Sequence, residues 1–186
     1  MAATCGVRLF QYRNKIDSML DCFQKGSPLR KAAADVQSTF IVNDRCDLAL
    51  ALEADGVHLG QDDFPLELAR EVLGEKKIIG ISTHRPDEVI AATKGGADYI
   101  GFGPIFPTST KADHEPVVGI HGLEQIRLLT SLPIFAIGGI TLNSVPAIQQ
   151  AGGNGVAMAS MVYQSKNMEQ TLQQLVKLFP SPSLPA

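Results

Sequence analysis

The chain has 186 residues, 45% of them apolar, and a net charge of −3, which suits one compact domain with a sizeable core. An acidic balance argues against a nucleic-acid or membrane-surface ligand, and no apolar run approaches the ~20 residues that a bilayer span needs. The opening "MAATCGVRLFQYRNK" has no signal-like apolar segment, and the cysteines Cys5, Cys22 and Cys46 have no metal-like spacing, so they read as reduced packing thiols of a cytoplasmic chain.

In chain order, short apolar runs alternate with segments of helical spacing. The runs are Val7–Tyr12, Thr39–Val42, Gly56–Gly60, Ile78–Ser82, Tyr99–Gly103, Ile134–Gly139 and Gly155–Ser160. Each is too short for a helix and is followed by polar or turn residues. Between them, Asp47–Ala54, Pro86–Gly96 and Asn143–Gly153 have helical spacing, the last with Asn143 as the expected cap and Pro146 in its first turn. Apolar runs without alternation suit parallel strands covered on both faces. The pattern predicts an α/β fold, either a closed barrel or a doubly wound open sheet.

Three passages, "EADGVHLG", "GGADYIGFG" and "AGGNGVAMAS", share the same punctuation from helix end through turn into strand. Such repetition favours the TIM (β/α)8 barrel. Seven strands are legible, one fewer than the eight of a closed barrel. The expectation is therefore a single barrel domain over residues 1–186 that lacks its first βα unit, with Met1–Cys5 as the remnant of the first helix. Such a barrel would be open beside "VRLFQY", and its exposed strand edges would favour lower stability or self-association.

In barrels and open α/β sheets, ligands sit at the carboxyl ends of the strands. After the first run come Gln11, Arg13 and Lys15, on one face of an extended backbone. Their guanidinium and ammonium suit an anion, although a solvated basic strand end is an equally good reading. After the second and third runs come Asn43 and Asp44, then Asp62 and Asp63. Singly, Asp44 or Asp62 reads best as a helix cap; together, beside cations, the acids suit a Mg2+ that bridges substrate phosphates. After the fourth run come Ser82 and His84. The glycines of "AIGGIT" and the small residues Ala159 and Ser160 would let backbone N–H groups approach a phosphate. His58 reads as a packed or hydrogen-bonded core histidine, and His114 and His121 as solvated loop residues. The loop "PTSTK" offers Thr108, Thr110 and Lys111 for closure over a phosphorylated substrate.

These motifs in this order resemble the thiamine-phosphate synthase family: "QYRNK", "VNDR", "DGVHLGQDD", "GISTH", "ADYIGFGPIFPTSTK", and "AIGGIT" followed by "GVAMAS". The resemblance runs from Gly6 to the last helix. It implies a (β/α)8 transferase that joins a pyrimidine methyl diphosphate to a thiazole ethyl phosphate, with Mg2+ and release of pyrophosphate. It also implies small phosphorylated substrates as partners, without nucleic acid or membrane, and it leaves a homo-oligomer open. Gln11, Arg13 and Lys15 match the diphosphate-binding motif, Asn43 a pyrimidine contact, and Asp44 and Asp63 the magnesium ligands. Asp62 is left as an outer or capping acid. Ser82 and Lys111 match diphosphate-side contacts, so that Arg13, Lys15, Ser82 and Lys111 would carry the catalysis. Thr108, Thr110, Gly139, Ala159 and Ser160 match thiazole-phosphate contacts. Asn14 stands where the family often carries an acid, and the family supplies a further βα unit before "GVRLFQYR".

The related thiazole tautomerase is the nearest alternative, with His84 as acid or base. A non-catalytic phosphate-ligand binder is another. Retention of "PTSTK" with both Asp44 and Asp63 favours the synthase.

Overall fold

A computed structural model describes residues 1–108 and 116–179. Its strands are β1 (Leu9–Tyr12), β2 (Thr39–Asn43), β3 (Gly56–Leu59), β4 (Ile78–Thr83), β5 (Tyr99–Phe102), β6 (Ile134–Ile137) and β7 (Gly155–Ala157). The helices are α1 (Met19–Asp35), α2 (Cys46–Ala51), α3 (Leu66–Leu73), α4 (Pro86–Lys94), α5 (Gly119–Arg127), α6 (Val145–Gln150), α7 (Ser160–Tyr163) and α8 (Met168–Leu178). The seven strands form one sheet in sequence order, every neighbouring pair parallel. β1 and β7 are its edges and do not pair with each other among the described residues. The expected barrel order and the opening beside the first strand are thus both observed.

Met1–Gly6 forms a turn in which the Cys5 N–H donates to the Met1 and Ala2 carbonyls. Before α6, a 3-10 turn (Leu142–Ser144) is capped by Thr141, whose backbone N–H donates to Ser144 Oγ at 3.0 Å. The expected cap, Asn143, lies inside that turn. β7 ends at Ala157, sooner than the apolar run implied, because Ser160 already starts α7. No described helix is long and apolar enough to cross a membrane.

The two faces of the sheet hold different residues. Phe40, Val42, Val57, Leu59, Ile79, Ile81, Ile100, Phe102, Ile134 and Ala136 belong to one buried cluster with helix residues such as Ala69, Val89, Leu123 and Ile148. Their neighbours on each strand point the other way. The register runs Asn43–His58–Gly80–Tyr99 across β2 to β5 and Ser82–Gly101–Phe135–Gly155 across β4 to β7. This inner face carries polar groups where the outer face carries only apolar residues.

A repeated clamp pins the amino ends of the strands. Asp55, just before β3, accepts from the Phe40 backbone N–H at 2.7 Å and pairs with Arg30 of α1 at 3.2 Å. Asp98, just before β5, accepts from the Ile79 N–H at 2.7 Å and pairs with Arg70 of α3 at 2.7 Å. Asn154, just before β7, accepts from the Ile134 N–H at 2.9 Å and from Arg127 of α5 at 3.1 Å. Each side chain therefore caps the edge of the preceding strand and anchors a helix, which fixes the register of successive βα units.

The clamp supports a stability prediction. Asp98→Ala leaves the Ile79 N–H and the Arg70 guanidinium short of an acceptor and should cost about 2–3 kcal/mol. Asp98→Asn keeps an acceptor for the backbone, as Asn154 does naturally, and should cost clearly less. Urea denaturation of the two variants tests this; equal losses would reject it.

Candidate active site

Because every strand is parallel, all the carboxyl ends open on one edge of the sheet. Arg13 and Lys15 leave β1 on a loop shaped by Asn14. The Asn14 side-chain carbonyl accepts from the Ile16 and Asp17 N–H groups, both at 3.2 Å, and its amide donates to Asp17 at 2.7 Å. The Asp17 carboxyl is held below its ordinary pKa by its bond to Lys25 and then by that to Asn14. Asn14 thus organises the turn behind the two cations.

Lys15 Nζ lies 2.7 Å from Asp44 Oδ2. Asp44 follows β2 with a φ of 66°, a left-handed conformation uncommon outside glycine and asparagine. Its N–H donates to the His58 carbonyl at 2.8 Å, which ties the turn to β3. From the β3 side, Asp63 Oδ2 accepts from the Gly60 N–H at 2.6 Å, and its carboxyl and that of Asp44 influence each other's ionisation. Neither acid caps a helix: α2 is capped by Arg45 and α3 by Pro65, both without a side-chain cap bond. That removes the capping role weighed for Asp44 and the one offered for Asp62, which is simply exposed.

The two carboxyls share one charge environment. Burial works to raise Asp44, but the bonds from Lys15 and Asp63, with the Arg13 charge, outweigh it and hold the group below its ordinary value. Asp63 is raised, first by burial and, against the Gly60 bond, by the adjacent Asp44 carboxylate. Two carboxyls at adjacent strand ends, close enough to perturb each other, offer oxygen ligands to a hard cation, and magnesium needs only one or two carboxylates. The donor set therefore fits Mg2+, although the described residues contain no cluster of three or more metal-ligating side chains.

On β4, Ser82 Oγ lies 2.9 Å from His58 Nε2, and its carbonyl accepts from the Gln61 side chain at 2.6 Å. His58 is thus hydrogen-bonded, as expected, and is paired in register with Asn43. His84 N and Nδ1 both approach the buried Glu88 carboxylate, at 2.7 and 3.3 Å, and Arg85 pairs with the same group at 2.8 Å. Gln11 stands exposed on the inner face of β1. Gly138 and Gly139 have φ values of 95° and 59° and pack under the β5 loop, where a Cβ on Gly139 would come within 2.4 Å of the Pro107 carbonyl oxygen. These glycines are required by that close approach as well as by any phosphate. Ala159 and Ser160 are exposed at the end of β7. Thr108 closes the described part of the β5 loop. Thr110, Lys111 and His114 lie outside the described residues.

The structure thus joins Arg13, Lys15, Asp44 and Asp63 in one cluster and Ser82 with His58 in the next. Gln61 and Tyr99 were missed by sequence reasoning, and only the strand register reveals them. A hollow between α1 and α2, lined by Phe23, Arg30 and Glu53, lies near the amino ends of the strands, away from this site.

A family model described as thiamine monophosphate synthase matches residues 1–162. A thiamine-phosphate synthase of Dictyoglomus thermophilum is 39% identical over 173 residues, 93% of this chain and 78% of that protein. One from Shouchella clausii is 42% identical over 171 residues, 92% of this chain and 82% of that protein. The solved thiamine phosphate pyrophosphorylase of Pyrococcus furiosus superposes with a TM-score of 0.87 at 34% identity, covering 95% of this chain and 85% of that one. A 3-hexulose-6-phosphate synthase shares the fold alone, with a TM-score of 0.72 at 13% identity.

The acid pair also sets a pH dependence. Asp63 binds its proton more tightly folded than unfolded, so its contribution is full below the ordinary value of 3.8 and is lost as pH rises through its raised pKa. Asp44 behaves oppositely: its contribution is present above 3.8 and lost as pH falls through its lowered pKa. In chelator-containing buffer, the melting temperature of Asp63→Asn should gain on that of the parent as pH rises above 3.8, because only the parent loses this contribution. Parallel profiles for the two proteins would contradict the pairing.

Proposed function

The chain belongs to the thiamine monophosphate synthase family, and from that premise we propose how its strand ends carry the reaction. It is a transferase that joins a pyrimidine methyl diphosphate to a thiazole ethyl phosphate, giving thiamine phosphate and pyrophosphate. The observation that carries the residue assignment is the cluster of Arg13, Lys15, Asp44 and Asp63 beside Ser82 on one edge of the sheet.

The bond from the pyrimidine methylene carbon to the diphosphate oxygen breaks, and its electron pair leaves with pyrophosphate. The thiazole nitrogen lone pair then forms the new carbon–nitrogen bond. No nucleophilic side chain is needed; the protein must stabilise the negative charge that gathers on the leaving group. Arg13 and Lys15 supply positive charge there, and Ser82 a hydroxyl. Lys15 is exchanged from Asp44 to the diphosphate as the substrate enters. Asp44 and Asp63 would hold Mg2+, which would supply positive charge to the departing diphosphate. Gln11 faces the diphosphate with Arg13 and Lys15, and Asn43 orients the pyrimidine half on the inner face of β2. Gly139, Ala159 and Ser160 receive the thiazole phosphate, with Thr108 and Thr110 on the β5 loop. Lys111 completes the charge around the leaving group.

The test is a coupling assay with both substrates. Thiamine phosphate and pyrophosphate should appear in equal amounts, stop on chelation and resume with added Mg2+. Lys111→Ala should lower kcat by ~10²-fold, the scale of one lost electrostatic contact to a developing anion. Isomerisation of the thiazole without coupling would instead mark a tautomerase, and binding without turnover a phosphate-ligand binder.

A further inference from the structure

The inner face of the sheet holds a three-residue hydrogen-bond chain. Tyr99 Oη lies 2.9 Å from His58 Nδ1, and His58 Nε2 lies 2.9 Å from Ser82 Oγ. The residues come from β5, β3 and β4, and they meet because Gly80 stands between His58 and Tyr99 in the register. A Cβ on Gly80 would fall 2.0 Å from Tyr99 Cζ and 2.5 Å from its oxygen, and one on Gly101 would lie 3.1 Å from His58 Cε1. Both rings therefore lie flat across glycine backbone, and a larger residue at either place would push the chain apart.

The direction of the protons follows from burial. Tyr99 is 3% exposed. Burial, and secondarily the Asp98 charge, drive its hydroxyl pKa far upward, so the phenol keeps its proton. A buried O–H requires an acceptor, and among the described residues Tyr99 Oη has no partner other than His58. The phenol therefore donates to Nδ1. A neutral imidazole that accepts at Nδ1 carries its proton on Nε2, and that N–H donates to Ser82 Oγ. One lone pair of the serine is then occupied, and its own proton is left for an acceptor in the site. The opposite arrangement, with Ser82 donating to Nε2 and Nδ1–H donating to the phenol oxygen, strands the buried tyrosine proton at a considerable cost. It would also turn serine lone pairs toward an anion.

We propose that Tyr99 and His58 are positioning residues that hold Ser82 as a hydrogen-bond donor to the leaving diphosphate. The inference rests on the function proposed above and adds to it a fixed proton order running from β5 to the site. Neither residue touches substrate in this role; Ser82 does.

Nitrogen-15 spectra of histidine-labelled protein read the tautomer without any turnover. His58 should carry its proton on Nε2 in the parent and should lose that preference in Tyr99→Phe, which keeps the ring and its edge contact with Phe135. Tyr99→Phe should also weaken binding of inorganic pyrophosphate with Mg2+ and lower kcat for coupling, each by about tenfold, the worth of one hydrogen bond to a charged group. In the Ser82→Ala background the same substitution should change neither quantity further. His58→Gln, whose amide can reach Ser82, should keep more activity than His58→Asn. A purely structural role predicts equal losses from Tyr99→Phe with and without Ser82, and that result would overturn the proposal. So would a parent tautomer protonated on Nδ1. If the parent couples no substrates, the assigned function fails, while the tautomer and pyrophosphate titrations still decide the proton order by themselves.

Discussion

The register of the parallel sheet is the constraint on which the site depends. Strand side chains alternate with a period of two, so a slip of one residue exchanges the inner and outer faces. A slip at β3 would bury His58 among the aliphatic side chains of the helix layer and turn Val57 or Leu59 toward the substrate. The Asx–arginine clamps at Asp55, Asp98 and Asn154 oppose such a slip at the ends of the strands remote from the chemistry. In each, the carboxylate or amide takes the first or second N–H of the preceding strand, and the arginine ties that point to a helix. Stability at one edge of the sheet thus becomes geometric accuracy at the other.

Much of this was legible in the sequence because its signals are local. All seven apolar runs became strands in the expected order, and the motif residues after them lie at one edge. The acids Asp44 and Asp63, nineteen residues apart in the chain, meet because β2 and β3 are neighbours. What stayed hidden depends on distant pairing. The turns before Asp55, Asp98 and Asn154 were visible as a recurring punctuation, but their arginine partners lie 25, 28 and 27 residues away, on a helix two elements earlier. The contacts of Gln61 and Tyr99 come from β4 and β3, so no local pattern in the chain marks them. Asn143 failed as a cap because Thr141 and Ser144 form a capped 3-10 turn first, which moves the start of α6 past it.

Charge is distributed unevenly around the site. The side built from β1, β2 and β3 holds the cations and the paired acids. The middle, from β3 to β5, is neutral and hydrogen-bonded. The side from β6 and β7 ends in small residues. This gradient suits a reaction in which one substrate gives up a diphosphate and the other keeps its phosphate. Full neutralisation is needed where the leaving group departs, whereas the retained phosphate needs space and backbone donors. The Lys15–Asp44 contact fits the same logic. Without substrate, the ammonium and the carboxylate satisfy each other in a partly exposed setting, where such a pair contributes little to stability and is readily exchanged for a diphosphate and a cation.

The glycines of the inner strands acquire a second meaning from this arrangement. His58 rests against Gly101, the Tyr99 ring crosses Gly80, and the Phe135 ring lies where a Cβ on Gly155 would come within 2.7 Å. Three rings are thus each seated on a glycine of another strand. Glycine within a strand ordinarily weakens it, and its presence often marks the close approach of another group. Here that group is a ring in each case, and two of the rings end in atoms that relay a hydrogen bond. The packing holds His58 and Tyr99 in place before any substrate arrives. The serine at the end of the chain is therefore oriented by the sheet, while the charged residues around it are held by the turns that follow the strands. A site that must grip a highly charged leaving group and then release it needs both kinds of support.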